Sequence, residues 1–510
     1  MSKKDWLIVT ALAALKFVLP FLLQNPVYEL HRDEYLYYEQ GQHLDFGYLE
    51  NPSLIGVMAS ISSLLGGSFF WIKFWPALLG ALTLMITAGI VIELGGKLFA
   101  CVVAAIGILL TGYLRVHFLF QPNCLEIFFW TLGCYFLLRY INTQQIRFLY
   151  FLSIALAFGW WSKYSVLFFI TAIIFSLLIT RHRKVFQQKH FWLAVALGVF
   201  LILPNIIWQY QHNWPLVHHM EELRATQLQY VSKANFIKEQ FLMLFPAVFV
   251  WTGGLIWLLT QSKYRIIAFI YLVTVSLIML GGGKAYYTLG AYPMLLAAGS
   301  VWLERISLKR SWVRIAVVSV ILLLAIPMIP LLMPIQPPQV MAQTNKEFGL
   351  EKIGILRWED QQNHPLQQDF ADMLGWKELT GKAEALFHSL PDSVKSNTIV
   401  YCRSYGQASA LRYYASDHYF RNKIISDNGT FLLWIPDRLS FRHLLFVGHN
   451  MPKKDDAVFQ QFEKATIIDS VSNPLSRQYG DKIILFENAT DSAHLLANSG
   501  LKEMKAEFGQ

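Results

Sequence analysis

The first 339 residues hold only thirteen acidic side chains, and the whole chain is only 15% charged although 55% of its 510 residues are hydrophobic. A soluble protein of this length carries nearer a quarter charged residues. Cysteine is scarce too: the four, at 101, 124, 134 and 402, lack metal-site spacing and do not form the pattern of a disulfide framework. The chain has no Walker A motif and no GxGxxG after a strand, which argues against a phosphate-cradling nucleotide fold. The membrane part lacks an Asp-x-Asp pair for a metal-bound nucleotide sugar. No internal repeat or low-complexity tract is present.

What the chain does have is long apolar runs. A run of about 18 residues or more can cross the hydrocarbon layer as a helix. The sequence predicts about eleven spans: 6–23, 70–94, 98–113, 124–138, 148–161, 166–179, 191–208, 241–260, 266–280, 287–303 and 313–333. Residues 52–65 read as a short interfacial or re-entrant helix that adds to the count. Lys3 and Lys4 precede the first run, which is too long for a signal core and lacks a clear cleavage site, so it reads as an uncleaved span. Lys16 inside it either snorkels or faces protein.

The net charge of +9 is uneven, with 24 Lys+Arg in residues 1–339 and 19 Lys+Arg against 21 Asp+Glu from Val340 onward. A basic excess in the membrane part points to topology rather than to nucleic acid. With a cytoplasmic N-terminus, 15 basic residues fall on cytoplasmic loops and 8 on the opposite face, the expected positive-inside bias. The polar loops then collect on the extracytoplasmic side, and so does the C-terminal region. Residues 334–339, PIQPPQ, form a stiff junction. Residues 340–510 read as a soluble α/β domain with a largely parallel sheet, with strands at 398–402, 432–435, 444–447, 467–468 and 483–486 and a helix at 407–414.

Six of the thirteen acids lie between Tyr28 and Leu54: Glu29, Asp33, Glu34, Glu39, Asp45 and Glu50. Carboxylates this dense beside a membrane suit removal of a proton from an acceptor hydroxyl, with Asp33 the candidate base. Tyr37 lies one turn after Asp33 and Tyr38 one turn after Glu34. The competing reading is a solvated interfacial helix with anchoring tyrosines. Arg115, Lys163 and Lys284 stand singly at extracytoplasmic ends of separate spans and together make a candidate phosphate clamp; Lys73 is similar but weaker. His212, His218 and His219 admit zinc, or more simply substrate contact or loop packing. Asn428-Gly-Thr and Asn488-Ala-Thr match the glycosylation pattern, which is short and recurs by chance.

The segment DEYLYYEQGQHLDFGYLENPSL resembles the first outer loop of bacterial dolichyl-phosphate-mannose–protein mannosyltransferase-like enzymes, GT-C fold glycosyltransferases related to the lipid A aminoarabinose transferase. Asp33-Glu34 and Gly47-Tyr48 match; Tyr37-Tyr38 sit one place late, and the family's His-Pro-Pro-Leu appears as Asn51-Pro52-Ser53-Leu54. Asn51 and Leu36 occupy places that are basic in the lipid A-modifying relatives, implying a different phosphate-binding set. WWSKYSVLF, PNIIWQYQHNWPLVHH, LQQDFADMLGWKEL and SYGQASALRYY extend the likeness along the chain. The resemblance implies a polytopic α-helical GT-C protein of about 11–13 spans, residues 1–339 with the catalytic loop at 24–69, and an extracytoplasmic domain at 340–510, in the bacterial cytoplasmic membrane. It implies inverting transfer of a sugar from a polyprenyl-phosphate donor to a lipid, glycan or protein. Carried over, Asp33 and Glu34 are catalytic, Lys163 with Arg115 or Lys284 binds the lipid phosphate, and Tyr37, Tyr38, Glu50, His212 and Trp214 contact substrate. No cofactor is required and no metal ligand is assigned; a divalent ion near Glu50 stays open. The alternatives are a flippase for lipid-linked sugar, which would favour repeated halves, a surface-polysaccharide polymerase or ligase, and a membrane anchor, for which eleven spans are excessive.

Overall fold

The computed structural model describes residues 1–226, 228, 232–452 and 457–510. All eleven apolar segments are helical, wholly or in part, but their lengths differ from the sequence expectation. Five helices are long and apolar enough to cross a membrane alone: Lys3–Leu23, Phe69–Glu93, Pro122–Thr143, Lys189–Gln211 and Ser311–Leu332. Two bent pairs, Val166–Ile179 with Arg181–Gln187 and Lys233–Leu242 with Phe245–Thr260, raise that to seven among the described residues. Others are short: Leu98–Leu109 has 12 residues and Pro293–Ile306 has 14. At 1.5 Å per residue, 12 residues reach only about 18 Å. Apolar content marks which segments are helical, but not where a helix stops.

Charges within the helices are satisfied internally. Lys16 does not snorkel: it is fully buried and its Nζ donates to the Tyr113 carbonyl at 2.9 Å. Glu304 accepts from the backbone N–H groups of Lys97 and Ala100, around the start of the Leu98–Leu109 helix. The four cysteines are buried and unpaired.

The C-terminal region begins with a helix at Pro338–Glu347, so the expected boundary at 339/340 falls inside an element. Its five-stranded sheet is mixed, which corrects the largely parallel expectation. The strands are β1 (Thr398–Cys402), β2 (Ile424–Ile425), β3 (His443–Gly448), β4 (Phe462–Ser470) and β5 (Lys482–Ala489). Their order is β2-β1-β3-β5-β4, parallel across the first three and antiparallel from β3 to β5 to β4. The expected strand at 432–435 is a one-turn helix, Phe431–Trp434. Leu432 and Ile435, three apart, share one face and pack with Leu501 of the last helix.

Between membrane part and sheet lies the Arg32–Gln40 helix, here called the acidic helix. One buried apolar cluster runs through it, from Leu30, Tyr35 and Leu36 to Ile72 and Leu125 on one side and Trp376, Val400 and Ile483 on the other. Two glycines permit this close docking. A Cβ on Gly67 (φ +62°) would collide with Tyr38 Oη, and one on Gly429 (φ +61°) with Glu50 Oε1.

Glu34 anchors the acidic helix. It is fully buried and accepts from Lys73 Nζ at 2.6 and 2.7 Å, His31 N at 2.7 Å and Phe120 N at 2.6 Å. Removing one partner of a buried pair leaves an uncompensated charge and costs about 3–5 kcal/mol, whereas removing both is far milder. Lys73→Met is therefore expected to lower the thermal midpoint of the purified protein markedly, and Glu34→Gln with Lys73→Met to recover much of that loss. Equal losses in single and double variants would show that the pair does not act as a unit.

Candidate active site

Asp33 follows the His31 N-cap, whose Nδ1 accepts from the Asp33 backbone N–H. The capping box ends with Glu34 turned inward and leaves Asp33, next along the helix surface, partly exposed. Three segments then meet on its carboxylate. Tyr405 Oη donates to Oδ1 at 2.8 Å, Arg32 Nε to Oδ1 at 3.2 Å and Gln121 Nε2 to Oδ2 at 3.3 Å. Burial alone would raise the Asp33 pKa. The Arg32 guanidinium, His31 and the hydrogen bonds from Tyr405 and Arg32 outweigh it and lower the value to about 2. The carboxylate is thus ionised at any physiological pH. Burial and Asp33 itself hold the Tyr405 phenol well above its ordinary value, so that hydroxyl remains a donor.

Lys163 belongs to the same site. It ends the Arg147–Ser162 helix, and its Nζ donates to Asn123 Oδ1. Asn123 Nδ2 donates to Gln121 Oε1 at 3.3 Å, which closes a chain of contacts from Lys163 to Asp33. Asn123 lies in the first turn of the Pro122–Thr143 helix, whose N-terminus has no side-chain cap. A cation beside an open helix N-terminus favours a phosphate. Lys163 also lies 4.1 Å from the Tyr287 ring centroid and 3.4 Å from Glu126 Oε2. Tyr37, half-buried on the Asp33 face, completes this side, with Asp33, Tyr405, Glu50 and Tyr287 all acting on its phenol. A mostly apolar groove of about 380 Å³ lies between the first loop and the helix that Lys163 ends, lined by Leu44, Asp45, Phe46, Ser53, Leu54, Val57, Phe158 and Trp161.

The other candidates sit elsewhere. Glu34, expected to support catalysis, is buried against Lys73. Tyr38, expected to touch substrate, is buried edge-on to Tyr413. Arg115, expected to bind phosphate, ties the membrane part to the C-terminal domain: NH1 donates to Asp369 Oδ2 at 2.9 Å, and NH2 to the Leu331 carbonyl and Gln367 Oε1. Lys284 lies 3.7 Å from Glu359, which also holds Arg477 at 3.1 Å. Glu50 accepts from Thr430 N at 2.7 Å and from the Thr430 hydroxyl. The first glycosylation pattern is thus a docking loop with a buried threonine, and Asn428 Oδ1 accepts from Tyr405 N at 3.1 Å. His212 stacks on Trp208 and contacts Gln510, while Trp214 stands exposed at φ +56°.

Sequence reasoning passed over Tyr405, Gln121 and Asn123, although the first lies in a quoted motif. Asn205 and Gln209 lie in another. Both donate to Tyr164 Oη, and Asn205 also reaches the Phe46 carbonyl at 2.6 Å, setting the segment that carries Lys163 against the first loop. The histidines at 212, 218 and 219 form no metal cluster. Among the described residues, one set has ligand atoms within 4.8 Å of one another, Glu384, His388 and Asp417 in the C-terminal domain.

The helical bundle with its C-terminal domain has the GT-C fold. Residues 51–208 match the family model described as dolichyl-phosphate-mannose-protein mannosyltransferase. The lipid A galacturonosyltransferase RgtD of Rhizobium johnstonii is 28% identical over 200 residues, 38% of this chain and 41% of that one, so the match spans less than half of that relative. ArnT from Cupriavidus metallidurans superposes with a TM-score of 0.62 bound to undecaprenyl phosphate and 0.63 in its apo state. Sequence identities are 11% and 12%, and both cover 96% of this chain and 99% of ArnT. The oligosaccharyltransferase AglB from Archaeoglobus fulgidus gives 0.50 at 12% identity, over 87% of this chain and 70% of that one.

The interface around the acidic helix carries a pH dependence. Glu39 is fully buried, 2.7 Å from Arg412 Nε and 3.3 Å from Arg421 NH2. Burial would raise its pKa, but His43 and the two arginines lower it overall. A depressed carboxylate contributes stability above its unfolded value, about 4.3, and loses it as pH falls through the lower folded value. Protection of the C-terminal domain from protease is expected to hold at neutral pH and fall below about pH 4, with a smaller pH-dependent component in Glu39→Gln. An identical profile in the variant would remove Glu39 from that role.

Proposed function

We propose that this protein transfers a sugar from a polyprenyl-phosphate donor to a hydroxyl of an extracytoplasmic lipid, glycan or protein, with inversion at the anomeric carbon. The observation that carries the reading is the Asp33–Gln121–Asn123–Lys163 chain of contacts. The groove suits the first prenyl units, and Trp161 in its wall is two residues from Lys163. The phosphate then lies by the Lys163 ammonium and the open N-terminus of the Pro122–Thr143 helix. As the anomeric C–O bond breaks, its electron pair goes to the phosphate oxygen, where fixed positive charge lowers the barrier.

Asp33 faces the incoming hydroxyl. With a pKa of about 2 it is a weak base. It orients the hydroxyl as a hydrogen-bond acceptor and takes the proton late, once the new C–O bond has made that oxygen acidic. Tyr37 and Tyr287 line the space between carboxylate and lysine. Lys284, held with Arg477 around Glu359, is a further contact for an anionic acceptor. The undecaprenyl phosphate bound to ArnT and the lipid A named for the curated relative support this substrate class.

The test uses protein reconstituted in lipid, a panel of polyprenyl-phosphate sugars and a membrane extract as acceptor. Release of free polyprenyl phosphate is expected to be sugar-dependent, at least about 100-fold slower in Asp33→Asn and about 100-fold slower or more in Lys163→Met. Unchanged turnover in Asp33→Asn would overturn the assignment of that residue. Transbilayer movement of labelled lipid without release would replace the transferase with a flippase.

A further inference from the structure

Glu126 lies in the second turn of the Pro122–Thr143 helix, a segment long and apolar enough to cross a membrane. The next acidic residue along the chain is Glu221. A carboxylate in such a segment costs free energy unless it is paired, and a paired one there marks a functional position by default. The Glu126 side chain is only 3% exposed. Among the described residues it meets one basic side chain, Lys163, at 3.4 Å, and its Oε1 accepts from the Ser165 hydroxyl.

Asn123 and Glu126 are three residues apart and share a face of that helix. Both reach Lys163, Asn123 through Oδ1 and Glu126 through Oε2. Lys163 and Ser165 belong to the short break between the Arg147–Ser162 and Val166–Ile179 helices. One carboxylate therefore ties down both ends of the turn that carries the lysine. The two partners differ in access. The Lys163 side chain is 21% exposed, whereas that of Glu126 is enclosed. A phosphate can reach the lysine without reaching Glu126, and feels the Glu126 charge from further away.

We propose that Glu126 is a positioning residue that also sets which phosphate the site retains, by holding Lys163 in place while opposing the doubly charged product. The role rests on the phosphate lying at Lys163, as proposed above. A polyprenyl-phosphate sugar is a diester with one negative charge. When the anomeric C–O bond breaks, its electron pair stays on the phosphate oxygen, and the acceptor's proton leaves by way of Asp33. The lipid phosphate is then a monoester, whose second ionisation has a pKa of about 6 and which carries close to two negative charges above it. Lys163 alone would hold that dianion more tightly than the donor, and the site would fill with its own product. The fixed charge of Glu126 acts against the second negative charge and offsets that gain. As the product leaves, the ammonium keeps its Glu126 partner rather than standing unpaired.

Binding of a polyprenyl phosphate and of its methyl phosphodiester to the full-length protein in detergent, at about pH 8 where the monoester is dianionic, tests this without turnover and without a sugar. The native protein is expected to hold the two probes within about threefold of each other. Glu126→Gln keeps an oxygen for Lys163 and Ser165 and removes the charge. It is expected to tighten the monoester about tenfold more than the diester, the order of one unit charge acting across the site. A merely structural partner would change both probes alike, so equal shifts in Glu126→Gln would overturn the role. If that variant does not fold, the native ratio decides: a native preference for the monoester of about tenfold or more would overturn the role. Lys163→Met is expected to weaken both probes about tenfold or more. Unchanged binding in Lys163→Met would place the phosphate elsewhere and overturn the site reading together with this one. Loss of binding there with equal shifts in Glu126→Gln would overturn the Glu126 role alone.

Discussion

The site depends on one buried carboxylate that does not face it. Glu34 gathers four hydrogen bonds, two from Lys73 and one each from the backbones of His31 and Phe120. Each fixes something different. The His31 bond sets the start of the acidic helix, and therefore the direction of Asp33. The Phe120 bond holds the loop that carries Gln121 and leads into the Pro122–Thr143 helix with Asn123. The Lys73 pair locks both to the Phe69–Glu93 helix. An ion pair this deep gives little net stability against an apolar replacement. Its value lies in position: with no water to substitute for either partner, the geometry has one satisfied arrangement.

The C-terminal domain is part of the same construction. Its Arg412 and Arg421 reach Glu39, Thr430 holds Glu50, and Asp369 holds Arg115. Among the first-loop carboxylates, Glu39 thus meets two charges of this domain, Glu50 a hydroxyl and a backbone N–H, and Glu29 the backbone N–H of Lys377. Tyr405, at the start of the Tyr405–Tyr414 helix, brings its hydroxyl to Asp33, so the Asp33 carboxylate is shared between the two parts.

Much of this was legible in the sequence. The scarcity of acids in an apolar chain singled out the first loop, and Lys163 stood out as a single basic residue at the end of an apolar span. Their junction through Gln121 and Asn123 was not legible, because neutral amides carry no compositional signal. Nor could the sequence show which of two adjacent carboxylates turns inward; that depended on Lys73, 39 residues away from Glu34. Arg115 looked like a phosphate ligand because its partner Asp369 lies 254 residues on. The mixed sheet was missed for a related reason. Strand direction depends on which strands become neighbours, and β5 enters between β3 and β4 against the direction of both.

The most direct test of a carboxylate positioned from both parts is the turnover of Tyr405→Phe in the full-length protein, with domain docking checked by protease protection. Loss of the single hydroxyl is expected to lower the rate of polyprenyl-phosphate release about tenfold, with donor KM unchanged and protection intact. Turnover equal to that of the native protein would show that Asp33 needs nothing from the C-terminal domain, and would contradict the account.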